Sequence, residues 1–316
     1  MSEPSLNNLD LFTKEFLKTN IDEINIELKK KGYFAFPKAI NSNVISNIHQ
    51  DATKNRINLN NNEITGVYAE KQYYLINLLS VSKTFYDFVT SKIVFDICKK
   101  FLGNQFRLKA LRYYETYGKH LMQWHTDNKI GRKFAHIPGI IFIFYISDVE
   151  EGQFQYIEGS HLWSGEKEYS DYSNDFIQKN YKEKIKDFKF PSGSLIIYNT
   201  YGIHRAKPVS NKKFIRKSVF FQVDSEVENS EPIILNSKFI RNVDNDLKMF
   251  LGFGKKSSYE VFPKTSINDL SFNKTTRIYL KYIFFRFLEN LKIMLPKKIK
   301  TILKKYFKKF KKEELN

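Results

Sequence analysis

The chain has 316 residues, of which 42% are hydrophobic and 16% aromatic, and it carries a formal net charge of +18. This composition is typical of a chain that buries a full core, and it excludes a disordered protein or a coiled coil. The single cysteine, Cys98, excludes an intramolecular disulfide and is interpreted as a small buried hydrophobe. Because the N-terminus also lacks the regions of a signal peptide, we expect a reducing, cytoplasmic location.

The first hundred residues carry mostly helical periodicity. Residues 9–30 place apolar side chains near helical spacing, and Gly32 follows as a C-terminal cap. The run YFAFP then predicts a short strand, and residues 44–57 predict a second helix on which His49 is a surface or edge histidine. Residues 81–103 predict a further helix.

From about residue 105 the apolar period changes from that of a helix to that of a strand. Short strand-like runs follow one another, separated by Gly, Pro, Asn or Asp. They are FRLKALRYYETY, HLMQWHTD, PGIIFIFYISDV, GQFQYIEGS, GSLIIYNT and IRKSVFFQV. This spacing is typical of a jelly roll or a β barrel, so we predict a mainly β domain with flanking α-helices.

Residues 271–316 form a basic C-terminal tail. They hold 14 Lys or Arg residues against 3 Glu, a net charge of +11, so the preceding residues are only mildly basic. Before Pro296 the tail carries too many charges for a transmembrane helix. After it, residues 297–312 place one apolar stripe on a lysine-rich helix, which predicts either binding to an anionic membrane surface or packing on the body of the protein. Nucleic acid is not expected as a partner, because no nucleic-acid-binding motif accompanies the charge.

The run QWHTDN contains a candidate metal-binding pair. His125 and Asp127 lie two residues apart, and on a strand such residues project from the same face. Together with His204 they supply two histidines and one carboxylate, a set that holds iron(II) and leaves positions open for a co-substrate and dioxygen. The pattern alone leaves another interpretation open, in which Asp127 is a turn residue before Asn128 and His125 is a structural histidine beside Trp124.

Arg216 is a candidate for binding a carboxylate. It lies in an alternating strand after His204, in phase with Ser218 and Phe220, so its side chain is predicted to point into the barrel. A guanidinium there can hold the distal carboxylate of a dicarboxylic co-substrate through paired hydrogen bonds. The alternative is an arginine that faces solvent.

Further side chains near these motifs are candidates for the substrate pocket. Gln123 shares the strand parity of the metal-binding pair, and Tyr113 and Trp163 are further candidates. Each of the three is equally compatible with core packing. A rival metal-binding set drawn from His120 and His136, which flank the motif, also stays open.

Taken in order, these runs resemble the phytanoyl-CoA dioxygenase family. LKKKGYFAFPKAINSNVISNIHQDA resembles its N-terminal helix, strand and helix, and QWHTDN resembles its His-x-Asp motif. SDVEEGQFQYIEGSHLW resembles its acidic loop, strand and Gly-Ser-His turn, while GIHRAKP and FIRKSV resemble its distal histidine and co-substrate arginine. The resemblance covers roughly residues 21–224. Glu158 stands where the family usually has proline, and residues 165–190 match nothing in it, so no substrate is implied.

The fold implied by the resemblance is a double-stranded β-helix, which is a cupin-like jelly roll. We expect a dioxygenase domain over residues 1–270, with its core at about 21–224, followed by a basic amphipathic helical tail over residues 271–316.

The resemblance also implies the chemistry. His125, Asp127 and His204 are expected to bind iron(II), and Arg216 is expected to bind the far carboxylate of 2-oxoglutarate. With dioxygen as co-substrate, the reaction releases succinate and carbon dioxide and hydroxylates a small-molecule, acyl-linked, or glycan- or lipid-linked substrate. Because related halogenases lack the carboxylate that Asp127 supplies here, hydroxylation is expected. Two alternatives stay open: a catalytically silent binding protein, and an enzyme of the same fold that performs desaturation, cyclisation or epimerisation.

Overall fold

The computed structural model describes most of the chain, which divides into two compact units, Met1–Thr265 and Ser266–Asn316. The residues described are 8–55, 67–68, 72–75, 77–118, 122–129, 136–163, 172–209, 211, 213–240, 244–257, 280–288 and 290. The predicted apolar stripe of residues 297–312 and His120 lie outside them. The predicted domain boundary after residue 270 stays a prediction.

Helices precede and follow the strands of the first unit. They are α1 (Asn8–Leu11), α2 (Lys14–Leu17), α3 (Ile21–Lys30), α4 (Ser42–Lys54), α5 (Leu78–Val81), α6 (Lys83–Val89), α7 (Lys92–Leu102), α8 (Asn174–Tyr181) and α9 (Asn245–Leu251). In the second unit the described residues 280–288 are helical. Among the described residues, no helix has both the length and the apolar character needed to cross a bilayer.

The stretch predicted as one helix over residues 81–103 is divided by two serine caps. The hydroxyl of Ser82 accepts a hydrogen bond from the backbone N of Phe85 and starts α6. The hydroxyl of Ser91 does the same for α7, which ends at Gly103 with a φ of +89°. A serine oxygen satisfies a free N–H at a helix start, so it favours a new helix over continuation of the old one.

The strands form two antiparallel sheets. They are β1 (Tyr33–Phe36), β2 (Val67–Tyr68), β3 (Gln72–Leu75), β4 (Arg107–Tyr117), β5 (Gly139–Tyr145), β6 (Phe154–Ile157), β7 (Ile185–Phe188), β8 (Leu195–Asn199), β9 (His204–Ala206) and β10 (Ile215–Asp224). Among the described residues, the larger sheet has the order β1-β8-β5-β10-β4-β3-β2 and the smaller sheet has the order β7-β6-β9. This is the predicted jelly-roll core with flanking helices.

The larger sheet is buried on both faces. Along β5, Phe142 and Phe144 belong to the core that includes the helices, whereas Ile141 and Ile143 belong to a separate core that includes strands of the smaller sheet. Every residue of β5 is buried. The uninterrupted apolar run GIIFIFY follows from this arrangement, because a strand with one solvated face alternates apolar and polar residues.

One predicted strand is absent as a continuous element. The run HLMQWHTD was expected to be extended, but within its described part only isolated bridges form, between Trp124 and Tyr172 and between His125 and His204. The short strand β9 supplies the second of these bridges. The two segments are therefore held together by single pairings at the site where the candidate ligands lie.

Candidate metal centre and its cavity

The candidate metal ligands meet where the segment 122–129 pairs with β9. The backbone N of His125 donates to the carbonyl of His204 at 3.0 Å, and the reverse bond measures 2.9 Å. Directly opposed residues of an antiparallel pair carry their side chains on the same face. The two imidazole rings accordingly have centroids 4.4 Å apart. The backbone N of Asp127 donates to the carbonyl of Thr200 at 3.1 Å, which holds the third candidate beside the rings.

His125, Asp127 and His204 form a group that is able to hold one metal ion. One ligand atom from each of them lies within 4.8 Å of the others, and no second group of this kind occurs among the described residues. His136, from the rival set, is not part of the group and instead stacks on Tyr201 with ring centroids 5.1 Å apart. The structure thus brings the three predicted residues together.

Both imidazoles are fixed in the same tautomer by main-chain carbonyls. Nδ1 of His125 lies 2.8 Å from the carbonyl oxygen of Gln123, and Nδ1 of His204 lies 3.0 Å from that of Gly202. A carbonyl oxygen can only accept a hydrogen bond, so each Nδ1 carries the proton. When the rings are neutral, each Nε2 therefore offers a lone pair, as a metal-binding histidine requires.

The distances around Asp127 fit a cation between the ligands. Oδ2 of Asp127 lies 3.1 Å from Nε2 of His204. Both atoms are acceptors when the imidazole is neutral, so their lone pairs repel unless a proton or a metal ion lies between them. Two neutral imidazoles and one carboxylate are a donor set suited to iron(II). The residues present therefore fit the metal that the resemblance implies.

Burial and neighbouring charges shift the pKa values of His125 and Asp127 so that both side chains are in the protonation state that binds a metal. Burial, followed by the charge of His204, lowers the pKa of His125 from its ordinary 6.5 to about 4, so this imidazole is neutral near pH 7. For Asp127 burial alone raises the pKa, but the interactions with His204, His125 and Tyr198 outweigh it and bring the pKa below the ordinary 3.8. Asp127 is therefore ionised at neutral pH.

The candidate ligands open into a cavity of about 410 Å³ between the two sheets. The cavity includes the predicted co-substrate arginine as well as the metal-binding group. Its lining residues are Tyr74, Arg112, Tyr114, Met122, His125, Asp127, Ile143, Tyr145, Phe154, Tyr198, His204, Arg205, Ala206, Arg216, Phe220, Gln222 and Glu231.

Arg216 is a buried guanidinium in this cavity wall. Only 3% of the residue is exposed. Its Nη1 donates to the carbonyl of Gly152, its Nη2 donates to Thr116 Oγ1 at 3.3 Å, and its guanidinium lies 5.7 Å from the ring centre of Tyr114. Its Nε has no hydrogen-bond partner, and no acidic side chain in the described part of the chain pairs with it. A buried, unpaired cation is costly, so a carboxylate ligand at this position gains a strong partner.

The three predicted pocket residues lie outside the cavity lining. Tyr113 packs in the helix-side core, with its hydroxyl 3.3 Å from Nδ1 of His49. Trp163 packs on Tyr181, with ring centroids 4.1 Å apart. Gln123 is exposed, and only its carbonyl takes part in the site, as the acceptor for His125. The contact with Tyr113 also makes His49 partly buried, where the sequence predicted a surface or edge position.

Four of the described tyrosines line the cavity and none was predicted, and two of them contact candidate site residues. Tyr114 alternates with Arg112 and Thr116 along β4, and the pairing of Thr116 with Arg216 on β10 places Tyr114, and not Tyr113, on the cavity face. Tyr198 lies on β8 and donates from its hydroxyl to Oδ2 of Asp127 at 3.0 Å. Burial, followed by the charge of Asp127, raises the pKa of Tyr198 well above 10.0, so the hydroxyl stays protonated and remains a donor. No motif in the sequence indicates this contact.

An ion pair forms another part of the cavity wall. Nη2 of Arg112 lies 3.0 and 3.1 Å from the two carboxylate oxygens of Glu231. The guanidinium of Arg112 also lies 4.8 Å from the ring centre of Phe220. Arg112 therefore has an acidic partner of its own, which distinguishes it from Arg216.

A larger groove, of about 740 Å³, runs along β1 and β7. Its lining includes Tyr33, Phe188 and Glu27. It contains none of the candidate ligands, and its described lining has no histidine. The smaller cavity is therefore the one equipped for metal chemistry.

Two of the solved structures of similar fold contain a bound metal and 2-oxoglutarate. HygX from Streptomyces hygroscopicus, with nickel and 2-oxoglutarate bound, is 13% identical over 64% of this chain and 85% of that chain, with a TM-score of 0.50. A second structure of HygX, which also contains hygromycin B, is 13% identical over 64% and 86%, with the same TM-score of 0.50. The carbocyclase SnoK from nogalamycin biosynthesis is 14% identical over 66% and 85%, with a TM-score of 0.48. No curated protein matches the chain in sequence.

The match to a dioxygenase family, on a fold shared with structures that hold a metal and 2-oxoglutarate, indicates the class of a 2-oxoglutarate-dependent oxygenase. The family model for phytanoyl-CoA dioxygenase (PhyH) matches residues 28–218, and the chain belongs to this family. Its cofactors are accordingly iron(II) and 2-oxoglutarate, with dioxygen as co-substrate.

Proposed function

We propose that the protein hydroxylates a small-molecule substrate, with His125, Asp127 and His204 as the iron(II) ligands and Arg216 as the residue that binds the far carboxylate of 2-oxoglutarate. One observation carries the proposal. The metal-binding group and a buried guanidinium without an acidic partner among the described residues line the same cavity. A metal ion would occupy the metal-binding group, and a dicarboxylate bound to that metal would pair with the guanidinium of Arg216.

Bound iron, 2-oxoglutarate and dioxygen supply an oxidant that is strong enough to break a C–H bond, with succinate and carbon dioxide as co-products. The protein contributes position and charge. Nε2 of His125 and of His204 and the carboxylate of Asp127 would hold the metal, and the main-chain carbonyls behind the two rings fix the ring orientations. A metal held by these three residues would be accessible from the cavity that they line.

Arg216 orients the co-substrate from a fixed position. Its hydrogen bonds to the carbonyl of Gly152 and the hydroxyl of Thr116 hold the guanidinium plane, and the ring of Tyr114 supports it. The unpartnered Nε leaves one edge of this plane able to donate to a carboxylate. Holding the far carboxylate there directs the other end of the molecule towards the metal.

The rest of the lining favours a dry site for a small substrate. Ile143, Phe154 and Phe220 present apolar surface to the cavity, which excludes water from the reacting groups. The volume of about 410 Å³ is within the range of small-molecule sites. HygX, which has a similar fold, binds hygromycin B, and this supports a small-molecule substrate here. Acyl-linked, glycan-linked and lipid-linked molecules are included in the proposal.

The alternatives differ in their products. A catalytically silent binding protein forms no succinate, whereas desaturation, cyclisation and epimerisation consume 2-oxoglutarate without adding a hydroxyl group to the substrate. The chain has both histidines and the carboxylate of the metal-binding group as well as Arg216, which favours a catalytically active enzyme. Succinate formation and the mass of the product distinguish these cases.

The test is an anaerobic titration of the metal-free protein with iron(II) and 2-oxoglutarate. We expect a visible charge-transfer band, because the keto and carboxylate oxygens of 2-oxoglutarate chelate the metal. The Asp127→Ala, His204→Ala double variant removes two of the three ligands and is expected to lose the band. A wild-type protein without the band, or a double variant that keeps it, contradicts the assignment of the site.

A membrane surface is our second proposal, and it concerns the C-terminal tail. The described helix at residues 280–288 exposes six large apolar side chains, each between 46% and 63% accessible. The surrounding residues 271–316 carry a net charge of +11. Apolar side chains next to clustered cations favour the surface of an anionic bilayer. The predicted stripe of residues 297–312 adds to this, and the protein is then cytoplasmic and peripheral on the inner face.

Sedimentation with vesicles tests this second proposal. The full-length protein is expected to sediment with vesicles that contain phosphatidylglycerol and to stay in solution with phosphatidylcholine alone, because the tail needs anionic headgroups. A chain that ends at Leu270 is expected to stay in solution with both. Equal sedimentation of the two chains rejects the membrane role of the tail.

A further inference from the structure

We propose that Tyr198 is a positioning residue whose hydroxyl holds the Asp127 carboxylate in place for metal binding and thereby sets the metal affinity of the centre. The inference rests on the proposed function, because it needs Asp127 as a ligand. It concerns a residue that the sequence motifs do not contain. The two residues lie 3.0 Å apart, hydroxyl oxygen to Oδ2.

Asp127 needs such a support because its own segment holds it weakly. It lies at a bend after an isolated bridge, and its backbone N donates to the carbonyl of Thr200. Its side chain is 22% exposed and projects into the cavity, where the described residues give it two polar contacts, His204 and Tyr198. With a metal bound, Nε2 of His204 would be a ligand and could not donate to the carboxylate. Tyr198 is then the donor that stays on the carboxylate.

Tyr198, by contrast, is rigidly held. It lies in β8 between β1 and β5, paired with Tyr33 on one side and Ile141 on the other, and it is 2% exposed. Its ring packs on Phe154 at a centroid distance of 4.8 Å and on the His204 ring at 4.7 Å. A hydroxyl on this interior strand of the sheet lies 3.4 Å from Nε2 of His204 and donates to the carboxylate of Asp127, so it is fixed relative to both ligands.

The expected energetic effect is that of a hydrogen bond to a metal ligand. Such a donor restricts rotation of the carboxylate and offsets part of its charge, and removing it costs about 10- to 100-fold in metal affinity. A purely structural tyrosine has no such effect. Tyr156 supplies the comparison, because it is equally buried, its ring lies 6.0 Å from that of Tyr198, and its hydroxyl contacts the carbonyl of Asn199 instead of a ligand.

The experiment measures cobalt(II) binding to the metal-free, full-length protein by competition with a chelating dye, together with the visible absorption of the bound cobalt. Tyr198→Phe keeps the ring and removes the hydroxyl, so we expect its cobalt dissociation constant to rise about 10- to 100-fold. Tyr156→Phe is expected to bind cobalt like the wild type. Thermal unfolding of both variants checks that the fold is retained.

A double-variant cycle separates positioning from general structural damage. If the hydroxyl acts through Asp127, adding Tyr198→Phe to Asp127→Ala lowers cobalt affinity no further. Wild-type affinity in Tyr198→Phe overturns the inference, as does an equal loss with and without the Asp127 carboxylate. A wild-type protein that binds no cobalt contradicts the proposed function itself, so the two failures are distinguishable.

Discussion

The two faces of the larger sheet use the same strands for opposite purposes. On the helix side, Phe142 and Phe221 stack with centroids 4.6 Å apart in a core of apolar side chains. On the cavity side, the same strands carry Arg216 and Gln222, and the neighbouring Tyr198 reaches a candidate ligand. The helix side is a packed apolar core, whereas the cavity side carries the buried guanidinium of Arg216, whose Nε has no hydrogen-bond partner. Stability is thus built on one face and binding capacity on the other.

The largest expected effect is a loss of folding stability on removing a side chain from the helix-side core. Phe142→Ala removes a fully buried ring and is expected to lower the free energy of unfolding by about 3–5 kcal/mol, because the lost contacts leave a cavity. Urea denaturation measures this loss. The folded fraction is expected to bind 2-oxoglutarate as the wild type does. If Phe142→Ala kept wild-type stability but bound 2-oxoglutarate more weakly, the roles assigned to the two faces would be contradicted.

The next effect concerns the cavity side. Arg216→Lys keeps the charge but loses the planar pair of donors, so the dissociation constant for 2-oxoglutarate is expected to rise about 10- to 100-fold. Isothermal titration calorimetry of the iron-loaded, anaerobic protein measures it. Arg112→Lys is the matched control, because Arg112 lines the same cavity but already pairs with Glu231. Equal losses in both variants argue against a specific role for Arg216.

Tyr113 and Tyr114 are adjacent in β4 and lie on opposite faces of the larger sheet, so replacing each one compares the two faces. Tyr113 donates to Glu115 at 3.1 Å on the helix side, so Tyr113→Phe is expected to cost about 1 kcal/mol of stability without affecting co-substrate binding.

Tyr114→Leu removes the ring beside Arg216 and is expected to weaken 2-oxoglutarate binding by about 1 kcal/mol, roughly fivefold. The same denaturation and calorimetric measurements apply. If Tyr113→Phe weakened 2-oxoglutarate binding and Tyr114→Leu only lowered stability, the assignment of the two tyrosines to the two faces would be contradicted.

The last prediction is a pH dependence of stability that arises from Asp224, at the end of β10. Burial raises the pKa of Asp224 from its ordinary 3.8 to about 7. Its stabilising contribution is therefore fully present below about pH 3.8 and is lost as the pH rises through about 7. Asp224→Asn keeps the side-chain shape and cannot ionise, so it is expected to gain stability relative to the wild type between pH 5 and pH 8, as measured by urea denaturation. A constant difference between the two proteins contradicts the raised pKa.

Much of the architecture was predictable from local patterns. The short strand-like runs after residue 105 predicted β4, β5, β6, β8 and β10, and the His-x-Asp run with His204 supplied the metal-binding group that the structure assembles. The short strands β2, β3, β7 and β9 were not predicted. β7 carries partly exposed residues without clear alternation, and β9 has only three residues. Such short elements are specified by their partners in the sheet, and their own sequences contain little signal.

The amino-acid sequence by itself determined which residue types are available for chemistry and the two-residue period that divides the faces of each strand, because both are local properties of the chain. The tertiary structure decided which face is the cavity. It assigned Tyr114 and not Tyr113 to the lining, and it brought Tyr198 to Asp127. These outcomes depend on pairing between segments distant in sequence, such as the His125–His204 bridge, and no local pattern specifies such a pairing.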